Sequence, residues 1–183
     1  ILNDNYKGWI DAQNIGLLPK SNYKTIVLRS FIKKHPNVKS KDIGYLTFGS
    51  EIYVESFKKA WAKIKLSTYH LQNFGYIYRK DIEKILKFEN DWVEIAKNFV
   101  NTPYRWGGRT SIGIDCSALL QLALKSYGLF IPRDTKDQIV CNCLENISEK
   151  EIDRGTIIFW KGHVGIMLNK YSLIHANGFH MKV

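Results

Sequence analysis

The stretch Tyr104-Arg-Trp-Gly-Gly-Arg-Thr-Ser-Ile-Gly-Ile-Asp-Cys-Ser-Ala-Leu-Leu-Gln121 decides how this chain reads. A Gly-rich, irregular run leads into Asp115 and Cys116, and the apolar-rich residues that follow, Ser117 to Leu124, have the character of a helix. Gly128 and then Pro132 supply a helix stop. A cysteine opening a helix sits at the positive end of the macrodipole, among N–H groups without intrahelical partners. That setting favours thiolate, the nucleophilic form. An enzyme is the expectation, and Asp115 before the helix doubles as an N-cap.

A nucleophile needs a base, and the chain has five histidines. His35 and His70 lie in polar or Lys/Pro-rich runs and read as surface loops, and His180 near the end reads as a surface strand. His163 and His175 fall instead in two β-rich runs, Trp160 to Leu168 and Ser172 to Gly178, around an Asn169-Lys170-Tyr171 turn. That is hairpin syntax, and it offers two imidazoles at one sheet edge with the register open. Cysteine, base and a polar residue orienting the base form the generalised triad.

Trp106 reads as a core aromatic. Cys141 and Cys143 form a C-x-C without further ligands at zinc spacing, and three cysteines is an odd number. Neither a metal site nor a disulfide framework is therefore expected, and both read as structural thiols.

Residues 88 to 183 resemble the NlpC family of papain-like bacterial cell-wall cysteine peptidases. The likeness rests on Pro103-Tyr104, Trp106-Gly107-Gly108, Gly113, Asp115-Cys116-Ser117, Pro132-Arg133-Asp134-Thr135 with Gln138, Gly155 and Ile157 to Trp160, His163 to Ile166, and His175-Ala176, in the family's order. Ala118 stands where the family usually has Gly. The resemblance implies Cys116 as nucleophile, His163 as general base and acid, His175 as the residue orienting it, and Tyr104 near the developing oxyanion. It also implies that Asp115, Ser117 and Thr135 line the pocket for a free N-terminal L-alanine, with no cofactor or metal.

The front half is different. Residues 1–88 carry 16 Lys and Arg against 7 Asp and Glu, whereas 89–183 carry 11 against 10. Nucleic acid is the obvious partner for such a balance, yet no basic helix or RNA-recognition signature accompanies it. Carboxylate-bearing wall peptides fit the back half better.

Gly8-Trp9-Ile10 with Asn14-Ile15 is echoed at equal offsets by Gly75-Tyr76-Ile77 with Asp81-Ile82. Ahead of the second copy lie short strand-like runs at Ile26–Ser30, Ile43–Gly49, Glu51–Glu55 and Trp61–Leu66, suggesting a small barrel. The pattern resembles bacterial SH3-like (SH3b) domains. The expected organisation is thus α+β: residues 1–18 as the tail of a truncated SH3-like module, 19–86 as an SH3-like barrel, and 87–183 as a papain-like domain whose Cys-bearing helix packs on an antiparallel sheet. The chain reads as an internal fragment, with the C-terminus also cut short. Asp91-Trp92-Val93-Glu94 reads as a capping box opening a helix to about Val100 that faces Trp92, Ile95, Ala96 and Phe99 to the core.

The resemblance implies hydrolysis of peptidoglycan stem peptides or muropeptides at the γ-D-glutamyl–L-diamino acid bond (meso-diaminopimelate or lysine). A non-catalytic wall-binding protein, an amidase or an acyltransferase are the rivals, and a nucleic-acid binder ranks last. A bacterial setting follows, with cytoplasm, periplasm and wall all open, as is the oligomeric state. No apolar run has the length of a membrane-spanning helix.

Overall fold

The computed structural model describes residues 7–12, 19–66, 73–88 and 91–183. The chain divides into two compact units, Trp9–Lys87 and Phe88–Val183, the latter with Ile1–Gly8.

The first unit is built from short antiparallel strands: β1 (Tyr23–Thr25), β2 (Arg29–Lys33), β3 (Asp42–Thr47), β4 (Glu51–Ile52), β5 (Val54–Lys58), β6 (Trp61–Lys65), β7 (Phe74–Tyr78) and β8 (Ile82–Lys84). They form a three-stranded sheet, β4-β1-β8, and a five-stranded sheet, β3-β2-β7-β6-β5. One core joins them: Ile52 and Ile82 from the small sheet meet Ile32, Val54, Ala62, Ile64 and Ile77 from the large one. Alternation produces this arrangement, because β6 and β7 each bury every second residue and leave Trp61, Lys63, Lys65, Phe74, Tyr76 and Tyr78 facing out.

The expected strand over Glu51–Glu55 is broken at Tyr53, where the chain passes from one sheet to the other. Asn22 holds that corner: its amide donates to Val54 O at 3.0 Å and its Oδ1 accepts Val54 N–H at 2.8 Å. Of the echoed blocks, the second forms β7 and opens β8, whereas Gly8 to Ile10 form no strand and Trp9 and Ile10 are exposed. Asn14, Ile15, most of the expected 1–18 tail, and His70 lie outside the described residues.

The second unit contains α1 (Trp92–Lys97), β9 (Arg109–Thr110), β10 (Gly113–Ile114), α2 (Cys116–Tyr127), α3 (Thr135–Gln138), β11 (Ile157–Trp160), β12 (His163–Asn169) and β13 (Ser172–Ile174). Asp91 caps α1 by accepting Val93 N–H and Glu94 N–H, both at 3.2 Å. The helix ends earlier than expected; it buries Val93 and Ala96, Phe99 just past its end is also buried, and the expected core residues Trp92 and Ile95 are only half-buried. Glu94 does not close a capping box; its carboxylate takes Lys97 Nζ at 2.8 Å and Arg154 at 3.0 Å.

Helix α2 buries nearly all its length and packs on β12, with β11, β12 and β13 forming an antiparallel sheet in that order. This is the mixed α/β layout expected, with few helices and a helix on a sheet. Gly128 ends α2 at φ 95°, a conformation that L side chains rarely adopt.

Three local expectations are corrected here. Cys141 and Cys143 are joined in a disulfide, so the odd count concealed one local pair and one free thiol, Cys116. His180 sits in a turn rather than a strand. Trp106 is 85% exposed, because the following Gly107, at φ 73°, turns the chain there and leaves the indole outside the core.

Candidate active site

Cys116 is the first residue of α2, held there by Asp115 as N-cap. Asp115 Oδ1 accepts Ala118 N–H at 2.9 Å and the Ser117 hydroxyl at 3.1 Å, and Oδ2 accepts Gly107 N–H at 3.0 Å. One carboxylate therefore ties the Gly-rich loop to the helix start. Arg133 completes the arrangement, donating to Asp115 Oδ1 at 2.9 Å and Oδ2 at 2.7 Å, to Ser117 Oγ at 2.8 Å and to Gly108 O at 3.3 Å. The loop tolerates no side chain at Gly108, where a Cβ would lie 2.5 Å from Gly113 O. Ala118, at the family's usual Gly position, is fully buried within α2.

On the opposite side, strand register places the histidines. Ile166 pairs with Ile174, which sets His175 one step further on, opposite Gly165. A Cβ at Gly165 would come within 2.9 Å of Leu173 and 3.3 Å of the Trp160 ring, so glycine makes room for these side chains beside the histidines. His163 Nε2 then lies 2.9 Å from His175 Nδ1, with the rings edge to face at 5.0 Å. The Trp160 ring packs against both, at 4.7 and 5.8 Å. Since Nε2 of His163 is taken up by His175, Nδ1 is the nitrogen left for proton exchange elsewhere.

The relay goes one residue further than sequence reasoning saw. Asn177 Nδ2 lies 3.3 Å from His175 Nε2, and its Oδ1 accepts His180 N–H at 2.8 Å. The only sequence signal was its place two residues beyond His175.

Cys116 and His163 line one cavity of about 750 Å³, together with Tyr104, Asp115, Ser117 and Thr135. Six of the seven site residues expected from sequence thus share a wall, and His175 stands behind His163 through the 2.9 Å contact. The Thr135 hydroxyl is 3.9 Å from Cys116 Sγ. The Tyr104 backbone is held by its N–H donating to Met181 O at 2.9 Å. Sequence reasoning gave no role to Arg109 and Lys136, which also line the cavity.

Electrostatics fit the geometry. Burial, then the negative charges of Cys116 and Asp115, push the Tyr104 phenol above its usual value, so it stays a proton donor. Burial and then His175 lower His163; burial and then His180 lower His175. Both rings are therefore neutral at pH values where an ordinary histidine is charged. Because the folded state disfavours protonation, their contribution to stability is complete above pH 6.5 and is lost as pH falls below it. Should His163 serve as the base for Cys116, the acidic limb of kcat/KM is expected below pH 6.5. A profile of initial rates from pH 4 to 9 checks this, and a limb at or above 6.5 contradicts it.

Residues 101–183 match the NlpC/P60 family. The chain is 30% identical over 163 residues to dipeptidyl-peptidase 6 of Lysinibacillus sphaericus, covering 80% of this chain and 57% of that protein. It is 26% identical over 138 residues to the gamma-D-glutamyl-L-lysine dipeptidyl-peptidase of Bacillus cereus, covering 71% of this chain and 38% of that one. The crystal structure of an NlpC/P60 family protein from Bacillus cereus superposes with a TM-score of 0.75 at 20% identity, over 90% of this chain and 57% of the other. That likeness shows a shared fold. The chain thus spans between about two fifths and three fifths of these proteins' lengths. The NlpC/P60 match spans the part of the chain that bears Cys116, His163 and His175.

Proposed function

We propose that this chain is a cysteine endopeptidase that hydrolyses the γ-D-glutamyl–L-diamino acid bond of peptidoglycan stem peptides. The observation that carries the reading is the shared cavity: a buried cysteine at a helix start, a histidine braced at 2.9 Å by a second histidine, and a protonated tyrosine. The relative named for γ-D-glutamyl-L-lysine supports the bond assignment.

His163 takes the Cys116 thiol proton as Sγ attacks the γ-carbonyl carbon, forming the C–S bond while the carbonyl π electrons move to oxygen. Tyr104 donates to that oxyanion. Collapse of the tetrahedral species breaks the C–N bond, and His163 protonates the departing amine. His163 then takes a proton from water, which attacks the thioester and releases the acid and the thiol. His175, with Asn177 beyond it, fixes the ring plane of His163.

On this reading Thr135, Ser117 and Asp115 form the wall toward the alanyl end of the substrate. Asp115 works there through Arg133, since the guanidinium occupies both its oxygens. Residues 19–86 serve as an SH3-like module that precedes the catalytic part in the sequence, and supporting observations are their short antiparallel strands and single core.

Incubation with L-Ala-γ-D-Glu-meso-diaminopimelate, free or N-acetylated on alanine, tests the proposal by mass spectrometry of the products. Release of L-Ala-D-Glu and diaminopimelate from the free-amine peptide is expected, and the acetylated one should be spared. Cleavage at an amide elsewhere in the peptide would make the chain an amidase of another type on the same core.

A further inference from the structure

The wall of the Cys116 cavity carries a cation to which the catalytic reading gives no task. Arg109, Arg133 and Lys136 bring positive charge to that wall, and Asp115 and Asp134 bring negative charge. Arg133 is already engaged, since its guanidinium holds both oxygens of Asp115, the Ser117 hydroxyl and the Gly108 carbonyl. Arg109 stands on β9 opposite Ile114, on the side of the Gly-rich loop. Lys136 stands on α3 directly after Thr135, whose hydroxyl is 3.9 Å from Cys116 Sγ. It is exposed, and among the described residues no carboxylate forms an ion pair with it, Asp134 on the same wall included.

We propose that Lys136 reads the α-carboxylate of the γ-D-glutamyl residue, and so makes the site selective for stem peptides in which that group is a free acid rather than a primary amide. This selectivity rests on the bond assigned above. In a γ-linked glutamyl residue the α-carboxylate branches from the carbon that bears the alanyl amide. It therefore lies on the alanyl side of the attacked carbonyl, the side given to Thr135. Four carbon–carbon bonds separate the two groups, so the carboxylate lies at most about 5 Å from the carbon that Sγ attacks. A lysine adjacent to Thr135 carries its ammonium on a flexible four-carbon stem, which suits a short search for a carboxylate. Arg133 cannot take the task, because turning it to substrate would leave the enclosed Asp115 carboxylate without its counter-charge. Amidation of the substrate group keeps a carbonyl acceptor and removes the charge. What the amide forfeits is therefore the charge-assisted part of the hydrogen bond.

The test measures kcat/KM of the whole chain on two peptides that differ only at that group, L-Ala-γ-D-Glu-meso-diaminopimelate and its glutamyl α-amide. The parent should prefer the free acid by at least about tenfold, the scale of one hydrogen bond to a charged group. Lys136→Met keeps the side-chain length and helix propensity, and should bring the ratio to within about twofold of unity. That change should be carried mainly by KM of the acid peptide, as for a contact made equally in the ground and transition states. Lys136→Arg should retain most of the preference, and Lys136→Glu should invert it. Circular dichroism of the three variants should match the parent, as befits an exposed position. Equal rates of the parent on the two peptides, or a preference that survives Lys136→Met, would overturn this role for Lys136 and leave the assigned bond standing. Cleavage of neither peptide, or cleavage at another bond, would overturn the assigned bond and the role of Lys136 with it.

Discussion

Replacing Cys116 with Ala should lower turnover of the stem peptide by at least about 10⁴-fold while leaving the fold intact, the scale seen when a nucleophile acting within a catalytic unit is removed. The side chain is buried at the head of α2, and no hydrogen bond of the Asp115–Arg133 cluster passes through it. Alanine also suits the first turn of a helix. Loss of activity would therefore report chemistry rather than collapse, with unchanged circular dichroism and thermal midpoint as the control. Adding His163→Ala to the cysteine variant should cost little more, because the two act as one unit. Retention of more than about a hundredth of the parent rate would remove the cysteine from the mechanism.

The second large effect is on stability. Arg133 and Asp115 form a bidentate pair whose side chains are only 10% and 12% exposed. Arg133→Ala leaves the carboxylate enclosed without its counter-charge, and should destabilise the protein by about 3–5 kcal/mol. Lysine cannot supply the fork that reaches two oxygens, the Ser117 hydroxyl and the Gly108 carbonyl together, so Arg133→Lys should recover only part of this. Asp115→Asn in the Arg133→Ala background should restore some of the loss, since no bare charge is left behind. Urea titrations of the four chains measure the series. A cost below about 1 kcal/mol for Arg133→Ala would show that the pair behaves like a surface ion pair.

Much of the site was legible because its parts are local. The helix at Cys116 announces itself by an Asp cap, an apolar run and a Gly stop, all within a few residues. The hairpin is legible for the same reason, but its register is not, because period-2 alternation looks alike in either pairing. The structure resolves this with Ile166 opposite Ile174, which sets His175 one residue beyond β13.

Arg133 was visible only as part of a motif. Its hold on Asp115, 18 residues away, arises from the packing of the segment after α2 against the Gly-rich loop, which no local pattern encodes. Trp106 was misjudged because size and apolarity suggest burial, whereas the positive φ at Gly107 decides where the chain turns. The Cys141–Cys143 bond was missed for a simpler reason: an odd count was read for the whole chain, although a pair two residues apart can close locally. In the first unit, the break at Tyr53 depends on Asn22, a partner 32 residues from Val54.

The most direct test of the catalytic reading is to trap the acyl-enzyme. Rapid acid quenching during turnover of L-Ala-γ-D-Glu-meso-diaminopimelate, followed by peptide mapping, should find L-Ala-D-Glu joined as a thioester to the peptide that contains Cys116. Turnover of the peptide with Cys116 unmodified at every quench time, or with the acyl group on another residue, would contradict it.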